Sequence, residues 1–188
     1  MIKHDHFVVD LETLGNGPRA AIVAIGIVFI ARGQISDTFY TRVNAESAAA
    51  SGGEIDASTV TWWLKQSAQA RKEIDGSQGA PHLVHALERV AEFMHLCLPN
   101  ASLRNVWGNG SSFDNVILRE AFKANDMVIP WAFWNDRDLR TITALYPEAK
   151  QLPFEGTKHH ALHDAVHEAK VLIAALQFHQ TLQVGALA

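Results

Sequence analysis

The sequence predicts one α/β domain, and three observations carry that reading. Strand-like runs crowd the first quarter of the chain, helical spacing dominates the rest, and no repeat or linker separates the two. At 188 residues and 20.7 kDa the chain is long enough for a single well-buried core. Its 48% hydrophobic and 19% charged residues fit a globular chain rather than a disordered one. One domain is therefore expected over residues 1–188, with the last few residues frayed.

The elements follow in order. Residues 6–9 form a short apolar run that ends at Asp10 and Glu12. Residues 20–31 are rich in Ile and Val and read as a strand buried on both faces. Arg32, Gly33 and Gln34 make a turn, and residues 35–43 alternate as a further strand. Residues 45–53 are small and polar and read as a loop. A helix is expected to start near Asp56 and run through residues 61–65. A break at residues 77–81 precedes an amphipathic helix over 81–96, with Leu83, Val84, Leu87, Val90, Ala91 and Met94 at helical spacing. Residues 103–107 read as a strand, 113–124 as a helix, 138–146 as a short helix and 164–182 as a long one.

Charge and cysteine usage narrow the function classes. Sixteen Lys and Arg against twenty Asp and Glu give a net charge of −4, which argues against a protein that coats duplex nucleic acid. The lone Cys97 has no internal disulfide partner, so a reducing, cytoplasmic setting is expected. The first residues lack the apolar core of a secretory leader, and the longest apolar run is too short to span a bilayer.

Three segments hold residues suited to chemistry. Asp10 and Glu12 share one strand face, because strand side chains alternate. They are either a solvated strand end or an oxygen-rich site for Mg²⁺ or Mn²⁺. Asp114 follows Gly108, Asn109 and Gly110 where a strand hands over to a helix, and could serve as an N-cap or as a ligand. The same loop imitates a dinucleotide-binding turn, but Phe113 stands in place of the third glycine. His159, His160, His163 and Asp164 could bind zinc, form a surface cluster, or supply one general base beside a metal ligand.

Together the blocks VVDLET at 8–13, GNGSSFDN at 108–115 and HHALHDA at 159–165 resemble the DEDDh 3′–5′ exonucleases of the ribonuclease-H-like superfamily. His159 lies five positions before Asp164, the spacing of that family's catalytic histidine. VTWWLKQ at 60–66, VWGNG at 106–110 and FWNDRDLRT at 133–141 resemble a narrower branch, the prophage exonuclease-VIII-like and mycobacterial polyadenylate-ribonuclease-like enzymes. Leu14 departs from the threonine that many relatives carry there.

The resemblance implies a mixed central sheet, with antiparallel opening strands and then parallel ones, flanked by helices. It implies Asp10, Glu12, Asp114 and Asp164 as holders of two Mg²⁺ or Mn²⁺ ions, and His159 as general base. It also implies hydrolysis from the 3′ end of single-stranded RNA or DNA, RNA slightly favoured, with release of nucleoside 5′-monophosphates. Thr13, Leu14, Asn109, Phe113, Trp63 and Arg137 are the expected substrate contacts. A homodimer and no membrane association complete the expectation. The alternative is a module of the same fold that binds nucleic-acid ends without cutting.

Overall fold

The computed structural model describes residues 5–76 and 79–185, with side chains described as far as residue 182. Five strands form one sheet in the order β3-β2-β1-β4-β5. β1 (His6–Thr13), β2 (Ile22–Ala31) and β3 (Gln34–Arg42) are an antiparallel meander. β4 (Asn105–Gly108) and β5 (Asp136–Asp138) then run parallel to β1. The mixed sheet expected from the resemblance is therefore present.

Helices cover both faces. α1 (Ala45–Ala50) and α2 (Ala57–Leu64) lead from the meander to α3 (Leu83–Cys97). α4 (Asp114–Ala124) and α5 (Leu139–Leu145) follow β4 and β5, and α6 (Ala161–Gly185) closes the described chain. Phe7, Val9 and Leu11 of β1 meet Ile25, Ile27 and Phe29 of β2 on one face, under Leu87, Val90 and Met94 of α3 and Ile117, Leu118 and Phe122 of α4. Val8, Val28 and Ile30 meet Ala165, Ala169, Leu172 and Ala175 of α6 on the other.

The α6 face is built for close approach. Gly26 pairs across the sheet with Asp10. A Cβ at Gly26 would lie 2.2 Å from the carbonyl oxygen of Ala161, so only glycine lets the first turn of α6 rest on β2. Ala161, Ala165 and Ala169 are fully buried at four-residue spacing and continue that flat contact. This stripe fixes how α6 lies against the carboxylate end of β1.

Two elements differ from the sequence reading. Residues 45–50 form a helix instead of a loop, because the Asn44 side chain caps the amide of Ser47 and four alanines favour the helical state. β5 is a three-residue, half-buried polar strand, too short for any periodicity to reveal. The helix expected from Asp56 starts there, with the Asp56 carboxylate accepting from the amide of Ser58. The break at 77–81 falls partly outside the described residues. So does the fraying at 183–188, where helical backbone is described to residue 185. Among the described residues no helix is long and apolar enough to cross a membrane.

Candidate active site

The site lies where β1 ends, between the first turns of α4 and α6. β1 delivers Asp10 and Glu12 to the α6 side of the sheet, on the same face as Val8. The parallel partner β4 ends at Gly108 and hands over to α4, whose first residue is Asp114. One Asp114 carboxylate oxygen accepts a 3.2 Å hydrogen bond from the amide of Leu11, which ties the second block to the first. A Cβ at Gly108 would sit 3.0 Å from that of Asp114, so this glycine admits α4 to the strand end.

α6 brings the third block. Asp164 in its first turn accepts a 3.0 Å hydrogen bond from the amide of His160. Ligand atoms of Glu12, His159 and Asp164 lie within 4.8 Å of one another. His159 has φ +62°, a left-handed conformation that turns it away from its two histidine neighbours. Its ring stands edge-on to Trp62, with centroids 4.8 Å apart.

The other two histidines serve the scaffold. His160 stacks on Tyr40 at 4.6 Å and on His163 at 4.0 Å. His163 Nδ1 accepts from the amide of Thr157 at 3.1 Å. Behind them Tyr40 donates to Glu73 at 2.8 Å, and Arg42 pairs with the same buried carboxylate at 3.3 Å. This network anchors the turn that carries His159. Three histidines converging on one zinc is therefore not the arrangement that forms.

Electrostatics single out the same place. Burial, then the charges of Glu168, Glu12, Asp114 and Asp164, push Asp10 well above the usual carboxylate range. Burial and the nearby acids raise Glu12 to about 9. Burial raises Asp114 to about 7 against opposing hydrogen bonds, and it raises Asp164 too. Carboxylates packed this way repel one another unless cations lie among them. The carboxylates offer hard oxygens, which suit Mg²⁺ or Mn²⁺ better than a soft metal, and the His159 imidazole stands beside them.

The remaining expected contacts fall in different places. A cleft of about 240 Å³ beside Glu12 is lined by Thr13, Gly15, Asn16, Thr59, Trp62 and Phe113, among others. Trp63 was the tryptophan expected to meet substrate, but it is 1% exposed and its indole donates to the Thr13 carbonyl at 2.9 Å. Trp62, at 41%, is the accessible ring, because adjacent helical positions point about 100° apart. Leu14 packs against the core beneath the loop. Asn109 accepts from Arg140 Nε at 3.4 Å. Arg137 donates to the carbonyls of Trp134 and Asp136, and it lines a cavity with Asp5, His6 and Asn105 at the other end of the strands. It is not brought to the carboxylates; its neighbour Arg140 acts on both Asp114 and Glu168. Glu168, buried four residues after Asp164 on α6, is the acid of this site that sequence reasoning missed; its spacing from Asp164 gives only a weak signal.

A mixed five-stranded sheet with this carboxylate set at the end of its central strand defines the ribonuclease-H-like DEDDh exonuclease fold. The nuclease domain of 3′hExo, a DEDDh member bound to rAMP, superposes with a TM-score of 0.62 at 17% identity, covering 92% of each chain. E. coli exonuclease I in complex with a dT13 oligonucleotide gives 0.63 at 15% identity, over 93% of this chain and 41% of that longer one. In sequence, the exodeoxyribonuclease of Enterobacteria phage T4 is 24% identical over 94% of this chain and 91% of its own length. Residues 5–176 match the family model of the 3′–5′ exoribonuclease Rv2179c-like domain, and the chain belongs to that family. It is a hydrolytic 3′–5′ exonuclease.

Proposed function

We propose that the chain removes nucleoside 5′-monophosphates from the 3′ end of single-stranded nucleic acid, RNA ahead of DNA, in a reaction that depends on two divalent cations. The observation that carries this reading is the convergence of Asp10, Glu12, Asp114 and Asp164 around one strand end with His159 beside them. The family description supports RNA, and the phage relative keeps DNA as the comparison substrate.

Asp10 would be shared by the two ions, Glu12 and Asp164 would hold one, and Asp114 would hold the other. Bound there, Mg²⁺ or Mn²⁺ supplies an activated water and charge neutralisation at the leaving 3′-oxygen. His159 takes the proton from the attacking water, a general-base task that an imidazole ring nitrogen performs. Its left-handed turn and the edge of Trp62 hold the imidazole toward Glu12 and Asp164. The terminal base enters the cleft between Trp62 and Phe113, where stacking is worth about 1–3 kcal/mol per base. Thr13, whose hydroxyl donates to the Gly15 carbonyl at 2.7 Å, stiffens the loop that meets the 3′ end.

A cytoplasmic homodimer is the expected working form. Phe133 and Trp134, 67% and 60% exposed, supply apolar surface for it. Matched 3′-labelled RNA and DNA oligonucleotides, with and without Mg²⁺, test the reading. Mg²⁺-dependent release of 5′-monophosphates, faster from RNA, is the expected result. A chain that binds the ends and never shortens them is instead an end-binding module. Activity that follows one tightly held zinc and ignores Mg²⁺ also contradicts the reading.

A further inference from the structure

We propose that Glu168 is a fifth carboxylate of the metal centre and helps to hold one of its cations. The inference rests on the two-cation reading above and extends it to a residue outside the three sequence blocks.

The placement is specific. Glu168 follows Asp164 by one helical turn, so α6 presents both to the same side. Glu168 is 6% exposed, and its Oε2 is closed from solvent without a hydrogen-bond partner. The Asn109 side chain nearby favours the charged form of this carboxylate, against its burial. Of the charges acting on Asp10, that of Glu168 is the strongest, ahead of Glu12, Asp114 and Asp164. Of those acting on Glu168, Asp114 comes first. Glu168 is thus a buried, partly unsatisfied carboxylate one helical turn beyond Asp164 on α6, close to the acids of the site.

A structural role does not account for this position. A buried, unpaired carboxylate is strongly unfavourable, and an apolar side chain or glutamine would fill the same space without the charge. Oε2 makes no hydrogen bond within the protein, so the protein alone does not satisfy it. A hard cation held among the neighbouring carboxylates would, since such ions take about six or more oxygen ligands. Arg140, bonded to Asn109, offsets the extra negative charge from the rim without entering the site. Partners that orient metal ligands typically change metal affinity by about 10–100-fold.

The test is Mn²⁺ binding to the full chain without nucleic acid, followed by calorimetry and by electron paramagnetic resonance. The unaltered chain is expected to bind two ions. Glu168→Gln keeps the side-chain volume and is expected to leave one ion unchanged while weakening the other by about 10-fold or more. Glu168→Met, an apolar replacement of similar length, should do the same, and circular dichroism checks that both variants are folded. Two ions bound with unchanged affinities by a folded variant overturn the proposal. Loss of both ions together also overturns it, because Glu168 would then support the whole site. An unaltered chain that binds fewer than two ions overturns the two-cation reading itself, and this proposal with it.

Discussion

On the face of the sheet under α3 and α4, β1 and β2 present Phe7, Val9, Leu11, Ile25, Ile27 and Phe29 to large apolar partners. On the face under α6 the same strands present Val8 and Val28, then Asp10, Glu12 and the bare backbone of Gly26. The first face gains stability through volume and area. The second gives up side-chain volume so that α6 can lie close, and it gathers carboxylates that repel one another. One strand therefore serves both tasks, because its side chains alternate between them. Stability and chemistry are separated by the period of a strand rather than by distance along the chain.

The comparison can be broken from either side. His159→Ala should lower the turnover number by about 10²–10⁴-fold while leaving Mn²⁺ binding and the melting temperature close to unaltered. Single-turnover kinetics alongside metal titration measures both, and unchanged turnover would remove His159 from the base role. Leu87→Ala, on the opposite face, should cost about 2–5 kcal/mol of stability by opening a cavity in the core. Activity per folded molecule should persist there, as urea unfolding and rate measurements on the same sample would reveal.

Gly26→Ala is the substitution that couples the faces. Its new Cβ collides with Ala161, so α6 must move, at a cost of about 1–3 kcal/mol. The shift carries Asp164 and His159 with it, so turnover should fall more than stability alone explains. A variant as active as the parent would mean that the close approach is not needed.

The smallest expected effect is a pH dependence. Glu12 and Asp114 titrate near 9 and 7 in the folded metal-free chain, above their ordinary range near 4. Their protonated forms are favoured by folding, so this contribution is fully present below about pH 4 and is lost as pH rises through 7 and then 9. Without metal, the melting temperature should fall across that window, and millimolar Mg²⁺ should flatten the slope. A metal-free slope of the opposite sign would contradict the proposed crowding of charge.

The strands of the meander and the three long helices were legible because their apolar periods are long and regular. The five residues of the three blocks were legible through resemblance, since neither Asp114 nor His159 is distinctive alone. Trp62 and Trp63 were ambiguous because helical phase decides which ring is buried, and phase depends on where the helix docks. Glu168 escaped notice because a glutamate on a helix is ordinary until its surroundings are known. Only α6 lying on Gly26 turns that residue from a surface acid into a buried one.

The central claim is that the carboxylates on the α6 face form a cation-dependent nuclease centre. Release of nucleoside 5′-monophosphate from a 3′-labelled RNA in Mg²⁺, compared among the unaltered chain, Asp10→Ala and Asp164→Ala, tests it most directly. Removing a ligand should forfeit several kcal/mol of transition-state stabilisation, a fall of about 10³-fold or more, in proteins that remain folded. Full activity in either folded variant would contradict the account.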